Sequence, residues 1–166
     1  MRTPTPAPGH RPYDPWDADA AAAIAAGLRG LDGPLLPILH ALQERFGYID
    51  ERAVPIVADV LNLSRAEVHG VVGFYPDFRR APPGRCVVRL CRAEACQAMG
   101  ADRLAETLES ALGTAGGATS PDGRVTLETA YCLGNCALSP AALIDGKLYG
   151  RVDADAVAAL VRERAR

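Results

Sequence analysis

Four of the five cysteines fall into two closely spaced pairs, and paired thiols are common ligands of soft metal ions. Cys91 and Cys96 lie in the segment LCRAEACQAMG, and Cys132 and Cys136 lie in AYCLGNCALSP. Paired cysteines occur in disulfides, structural zinc sites, redox dithiols and iron-sulfur clusters, and each of these needs a different spacing and environment. The rest of the sequence must therefore distinguish among them.

The composition predicts a cytoplasmic globular protein whose thiols stay reduced. The chain has 166 residues, of which 49% are hydrophobic, and a formal net charge of -2. This balance provides no basic surface for nucleic acid and no polybasic segment for a membrane. The N-terminus has no apolar signal region, and the longest apolar run, Ala20 to Ala26, is too short to span a bilayer. Because disulfides are rare in the cytoplasm, the cysteines are expected to bind metal or to act in catalysis.

The spacing of the cysteines favours an iron-sulfur cluster and leaves zinc open. Structural zinc accepts four cysteines, but its usual knuckles are C-x-x-C, and neither pair has that spacing. A thioredoxin-type redox dithiol also needs C-x-x-C, at the start of a helix, and the chain has no such motif. A 2Fe-2S cluster needs two cysteines at each iron, and the two pairs satisfy this need if the loops that hold them converge.

The secondary structure predicted around the cysteines indicates how the two loops that hold them would converge. Each pair follows a predicted strand, CVVRL before Cys91 and RVTLETA before Cys132, the latter with Val125, Leu127 and Thr129 on one side. If these strands run parallel in one sheet, both pairs lie in loops at the same edge. The isolated Cys86, inside CVVRL, is expected to pack as a small hydrophobic residue.

Residues 81–166 are accordingly predicted to form a thioredoxin-like domain with a small mixed sheet. A helix between the cysteine pairs is indicated by Met99, Leu104, Leu108 and Leu112. A hairpin around Asp145 and Gly146 and a last helix from Asp153 to Arg164 complete the order strand, helix, strand, hairpin, helix.

The N-terminal part is predicted to be helical, so the fold class is α+β or α/β with a helical bundle arm. Residues 1–14 are predicted to form a flexible proline-rich tail and residues 15–80 the arm. Asp17 is expected to cap the first helix, and Ser64 with Glu67 has capping-box spacing. Two apolar stripes give the arm more apolar surface than a small thioredoxin-like sheet needs, so the arm is expected to pack internally and to dock a partner subunit. One stripe consists of Leu35, Leu39, Leu42 and Phe46, and the other of Val54, Val57 and Val60.

The remaining polar residues offer no second site. His10, His40 and His69 are scattered without metal-like spacing. Arg92 and Glu94, between the first two cysteines, could tune a cluster, face a partner or form an ordinary exposed ion pair. The chain contains neither GxGxxG nor a P-loop, so it is not expected to bind NAD itself.

These motifs resemble the thioredoxin-like 2Fe-2S ferredoxin subunits of respiratory complex I and of soluble NAD-reducing hydrogenases. The resemblance runs from about Leu35 to the C-terminus and rests on both cysteine motifs, the hairpin and the arm ending GVVGFYPDF. Within this group, CRAEACQAMG and YCLGNCALSPAALIDGKLYGRV are most similar to the gamma subunit of soluble NAD-dependent, molybdenum-containing formate dehydrogenase.

The resemblance implies an electron-transfer subunit without catalytic residues or activity of its own. It implies that Cys91, Cys96, Cys132 and Cys136 bind one 2Fe-2S cluster beside a flavin subunit that carries FMN and NAD. In a formate dehydrogenase a further subunit would carry the molybdenum cofactor. The equivalent subunit of complex I or of an NAD-reducing hydrogenase is the first alternative, and a zinc-stabilised interaction module is an alternative from another class.

Overall fold

The computed structural model describes residues 13–165, which divide between Pro82 and Pro83 into a helical unit and an α/β unit. Most of the predicted tail lies outside the described residues. Its last two positions contact the helical unit: Asp14 forms an ion pair of 2.9 Å with Arg45, and the ring of Tyr13 covers Gly47. No helix in the described range is long and apolar enough to cross a membrane.

The helical unit contains the helices α1 (Ala18–Leu28), α2 (Leu35–Phe46), α3 (Ala53–Leu61) and α4 (Arg65–Phe74). The predicted caps are present, because the Asp17 carboxylate accepts a hydrogen bond from the Ala20 N–H and Ser64 and Glu67 form a reciprocal capping box. Gly47 ends α2 with a φ of 83°, a left-handed conformation that glycine adopts without steric cost.

The core of the helical unit is built from the predicted apolar stripes. Leu39, Leu42 and Phe46 of α2 are buried, while Leu35 at the start of that helix is only partly covered. The Trp16 ring lies 5.1 Å from the Phe46 ring and so attaches the segment before α1 to this core.

The α/β unit is a four-stranded mixed sheet with helices packed against it, as the thioredoxin-like prediction requires. The strand order is β2-β1-β3-β4, with β1 parallel to β2 and antiparallel to β3. The strands are β1 (Cys86–Cys91), β2 (Val125–Ala130), β3 (Ala141–Ile144) and β4 (Lys147–Gly150), and the helices are α5 (Glu94–Ala98), α6 (Ala101–Leu112) and α7 (Ala154–Arg164), with a single-turn 3-10 helix at Cys136–Leu138.

The predicted hairpin joins β3 and β4 through Asp145 and Gly146, which have φ values of 47° and 78°. Positive φ at both central residues is typical of a type I′ turn, which favours Asp-Gly. The Asp145 carboxylate also accepts a hydrogen bond of 2.8 Å from the Val87 N–H. This bond attaches the hairpin turn to β1.

One detail of the predicted pattern is wrong, and one strand is buried less regularly than the pattern indicates. Met99 precedes α6 and its side chain is 62% exposed, because Gly100, with a φ of 86°, separates it from the helix. Thr129 is exposed, whereas Val125, Thr126 and Leu127 are all buried. The burial of consecutive residues follows from β2 lying on an edge where the loop before it folds back, as shown by the bridge between Thr119 and Thr126.

Candidate functional site

The first cysteine pair lies at the end of β1 and in the short helix after it. Cys91 is the last residue of β1 and Cys96 lies within α5. The prediction of a loop for both is therefore wrong in detail, since only Arg92 and Ala93 separate the strand from the helix. Each of the two cysteines is 2% exposed, so both thiols are removed from solvent before any partner binds.

The second pair reaches the same edge because β1 and β2 run parallel, the arrangement on which convergence of the two pairs depends. Cys91 is in register with Ala130, the last residue of β2, and Cys132 follows two residues later. Cys132 and Cys136 are exposed, and their sulfur atoms are 3.9 Å apart. One cysteine pair is thus buried beneath the edge of the sheet and the other faces outward.

The loop of the second pair presents its backbone N–H groups to sulfur. Cys132 has a φ of 101°, a conformation that residues with side chains rarely adopt and that is enriched at active sites and ligand-binding positions. The conformation lets the Gly134 N–H donate to the Cys132 sulfur at 3.3 Å, and Gly134 itself has a φ of 74°. A thiolate that accepts such bonds is stabilised, as metal ligation requires.

The electrostatics link the two pairs into one site. Burial opposes ionisation of Cys91, but hydrogen bonds from the backbone of Ala93, the thiol of Cys96 and the backbones of Leu133 and Cys132 outweigh it and lower the Cys91 pKa. The pKa of Cys136 is raised, first by its hydrogen bond and charge interaction with Cys132, then by burial and the nearby Cys96 and Cys91 thiols. Each predicted ligand therefore contributes to one electrostatic environment.

The spacing within the second cysteine pair suits two ligands of one metal atom. Two sulfur ligands of one tetrahedral metal lie roughly 3.8 Å apart when the metal-sulfur bonds are about 2.3 Å, and the 3.9 Å between Cys132 and Cys136 matches this spacing. Within residues 13–165, no three or more His, Cys, Asp or Glu side chains are grouped closely enough to hold a metal ion as they stand. Thiols arranged pair by pair are what a 2Fe-2S cluster needs.

Cys86 lies apart from this group, in the core of the α/β unit. It is fully buried in a cluster with Val88, Leu108, Ile144 and Val157. Burial first, and then the charge and hydrogen bond of Asp145, raise its pKa to about 12. It has the environment of the small hydrophobic residue that the sequence predicts.

The other polar candidates take ordinary structural roles. His40 is exposed and packs on the Phe78 ring at 5.0 Å, His69 is exposed on α4, and His10 lies outside the described residues. Arg92 pairs with Asp102 of α6 at 2.7 Å rather than with Glu94, which is exposed. This ion pair neutralises the charge of Arg92 beside the first cysteine pair.

Sequence reasoning missed the contact between the hairpin and the second cysteine loop. A Cβ at Gly150 of β4 would lie 2.5 Å from the Leu138 Cβ and 2.8 Å from the Asn135 amide nitrogen, so only glycine allows this approach. The Arg151 N–H then donates to the Leu138 carbonyl. The position of Gly150 in the sequence does not indicate this contact, because the contact forms only when the hairpin folds back onto the second cysteine loop.

Comparison with known proteins identifies the group that shares these features. The family model of the thioredoxin-like [2Fe-2S] ferredoxins matches residues 21–165. The chain is 35% identical over 132 residues to the NADP-reducing hydrogenase subunit HndA of Solidesulfovibrio fructosivorans, an alignment that covers 80% of this chain and 77% of that protein. It is 36% identical over 123 residues to an NADH-quinone oxidoreductase subunit of Pseudomonas aeruginosa, covering 74% of each.

A solved structure has a similar fold. The chain superimposes on an air-oxidized NAD+-reducing [NiFe]-hydrogenase with a TM-score of 0.66 and 26% identity, over 77% of this chain. The match spans 22% of that hydrogenase chain, so most of its length has no counterpart here.

Proposed function

Since the chain belongs to the thioredoxin-like [2Fe-2S] ferredoxin family, we propose that it is the small electron-transfer subunit of an NAD-linked oxidoreductase complex. The observation that carries the proposal is the meeting of two cysteine pairs at one edge of the sheet, one pair buried and one exposed. A buried pair excludes water from one side of the site, and an exposed pair leaves the opposite side open to a redox partner.

We propose Cys91, Cys96, Cys132 and Cys136 as the ligands of the cluster. When bound, the cluster would supply an acceptor and donor of one electron at a time. The chain supplies the thiolates, the backbone donors that stabilise them and the parallel strands that hold the two cysteine pairs together. No acid-base or nucleophilic side chain is needed for this role, so the subunit is non-catalytic.

Within this group we propose a soluble NAD-dependent formate dehydrogenase as the parent complex, with this chain as its gamma subunit. The support is the sequence of both cysteine motifs, CRAEACQAMG and YCLGNCALSPAALIDGKLYGRV. A flavin subunit with FMN and NAD and a molybdenum subunit would then be the partners, and the complex would be cytoplasmic. Because the relatives are hydrogenase and NADH-quinone oxidoreductase subunits, these two complexes are the competing parents.

Purification of the tagged chain from its native host will separate these parents. We expect a flavin subunit and stoichiometric molybdenum to co-purify, and formate to reduce NAD in the isolated complex. Nickel with hydrogen-dependent NAD reduction, or quinone-dependent NADH oxidation in membranes, would instead identify the competing complexes. A colourless chain that contains zinc and no sulfide would contradict the electron-transfer role altogether.

We further propose that the helical unit, corresponding to the predicted arm of residues 15–80, docks the flavin subunit. Phe74 is 78% exposed and Tyr75 is 41% exposed, and their rings lie 5.2 Å apart at the end of α4. Exposed aromatic side chains beside an apolar groove are typical of interface centres. The adjoining groove has a volume of about 550 Å³ and is lined by Leu35, Leu63, Glu67, Gly70, Val71, Phe74 and Tyr75.

Phe74→Asp should weaken assembly with the flavin subunit at least about tenfold, since an aromatic anchor contributes roughly 1.4 kcal/mol or more at an interface. Cluster content should stay at the wild-type level, because Phe74 belongs to the helical unit. His69→Asp is the matched control, as it adds the same charge at an exposed position of the same helix. Wild-type affinity of Phe74→Asp in a binding titration would exclude this surface.

A further inference from the structure

The side chain of Ser139 lies between the two cysteine pairs. Ser139 follows the 3-10 helix of the second cysteine loop and is 8% exposed. Its hydroxyl oxygen is 3.4 Å from the Cys96 sulfur, across 43 residues of sequence. It is also 2.8 Å from the Cys136 carbonyl oxygen, to which it donates a hydrogen bond. One hydroxyl thus contacts a buried cysteine of the first pair and the backbone of an exposed cysteine of the second.

The number of protons available for hydrogen bonds among Ser139, Cys96 and the Cys136 carbonyl depends on whether Cys96 is a thiol or a metal ligand. As a thiol, Cys96 can donate to the Ser139 oxygen while Ser139 donates to the Cys136 carbonyl. A cysteine that binds metal is a thiolate, which has no proton and can only accept. Ser139 then carries the single proton available for two acceptors, the Cys136 carbonyl and the Cys96 sulfur. The thiolate is the stronger acceptor because it is charged.

We infer that the Ser139 hydroxyl donates a hydrogen bond to the Cys96 thiolate in the cluster-bound protein and thereby raises the reduction potential. This inference rests on the proposed function, since it assumes that Cys96 is a ligand. Ser139 acts through Cys96 and is therefore a positioning residue. It keeps its proton on oxygen in both redox states, so reduction adds one electron and transfers no proton from Ser139.

The direction of the effect follows from charge. The reduced cluster is more negative than the oxidised one, and a hydrogen bond to a ligand sulfur therefore stabilises the reduced form more. Burial strengthens this bond, since Cys96 is 2% exposed and water does not compete for its sulfur there. The Gly134 N–H provides a comparable bond to Cys132 at 3.3 Å, but on the exposed pair, where solvent weakens its effect.

The test is the reduction potential of full-length, cluster-loaded protein in which the hydroxyl is deleted. Ser139→Ala and Ser139→Gly should each lower the equilibrium constant for one-electron reduction roughly tenfold, which is a fall of about 59 mV. Ser139→Thr keeps the hydroxyl and should stay near the wild-type potential. Potentials are measured by dithionite titration monitored by EPR. Resonance Raman spectra in H2O and D2O should show a deuterium shift of iron-sulfur stretching that is reduced in both hydroxyl-free variants.

Ser110→Ala is the matched control, because Ser110 also donates its hydroxyl to a backbone carbonyl, that of Glu106, on the exposed face of α6. It should leave the potential unchanged. Equal potentials in wild type, Ser139→Ala and Ser139→Gly would overturn the inference. So would a loss of the cluster in both hydroxyl-free variants with full retention in Ser139→Thr, which would assign the hydroxyl to assembly. If wild-type protein itself holds no 2Fe-2S cluster, the proposed function is wrong, and so is the inference about Ser139. Metal and sulfide analysis of wild-type protein distinguishes this outcome from an effect of Ser139 alone.

Discussion

Replacing any one of Cys91, Cys96, Cys132 or Cys136 with alanine is expected to abolish or severely deplete the cluster, whereas Cys86→Ala is expected to retain it. Each of the four thiols would supply one of only two protein ligands at an iron. Loss of one thiol would leave only a single protein ligand for that iron, and the remaining thiolate would lose the charge compensation that metal provides. The depletion should therefore be similar for the buried and the exposed pair.

Cys86 provides a control of the same residue type within the same domain. Its sulfur is buried among aliphatic side chains of the sheet and of α6 and α7, and it makes no hydrogen bond with the other cysteines. Removing this sulfur costs packing, on the order of 1 kcal/mol of the free energy of unfolding. Cys86→Ala should thus unfold at a slightly lower temperature while its visible absorption and its EPR signal after dithionite reduction match wild type.

Iron and sulfide analysis of the five single variants, purified anaerobically, checks this prediction. The ligand assignment would be wrong if Cys86→Ala lost its colour while one of the four paired cysteines proved dispensable. Circular dichroism of each variant separates loss of the cluster from loss of the fold.

The isolated chain is expected to be reduced by dithionite and to be inert towards NADH. The sequence contains no GxGxxG motif and no P-loop, so it offers no recognisable dinucleotide site. A 2Fe-2S centre takes one electron, whereas NADH donates a hydride with two, and a flavin is the usual converter between these processes. The component that divides a hydride into single electrons is therefore expected on the flavin subunit.

Addition of the flavin subunit should change this behaviour completely. We expect reduction within about a second of mixing, given ordinary turnover rates of about 1 to 1,000 per second. Anaerobic absorption spectra with NADH, recorded before and after the partner is added, provide the measurement. The Phe74→Asp variant serves as a control, since it should be reduced by dithionite normally but by NADH only at higher concentrations of the partner. Rapid reduction by NADH in protein verified to be free of flavin would contradict the electron-transfer role.

Features that depend on neighbouring residues were predictable from the sequence. Asp17 and the Ser64–Glu67 box cap their helices, and Asp145–Gly146 forms its turn, because each needs only groups within a few residues along the chain. The four paired cysteines could likewise be identified from the sequence as candidate metal ligands, since residue type and spacing restrict the kind of site that they can form. Cys86 was distinguished from them by its place inside an apolar strand.

Contacts between distant segments were decided only by the tertiary structure. Neither the Arg92–Asp102 ion pair nor the approach of Gly150 to Leu138 is indicated by composition or periodicity. Met99 has the spacing of a residue of α6, yet a glycine with positive φ places it outside the helix. Periodicity identifies which residues share a face, but it does not determine where an element begins or what lies opposite.

The sequence by itself determined the candidate ligands, the local caps and turns, and the class of fold, because these depend on side-chain type and short-range geometry. The tertiary structure alone decided that Cys91 and Cys96 are buried while Cys132 and Cys136 are exposed. It also decided that the Ser139 hydroxyl meets the Cys96 sulfur. Both outcomes follow from the parallel pairing of β1 with β2 and the antiparallel return of β3 beside β1, which bring residues some 40 positions apart to one edge. A hydrogen bond requires atoms within about 3.5 Å, and only the folded sheet places them that close.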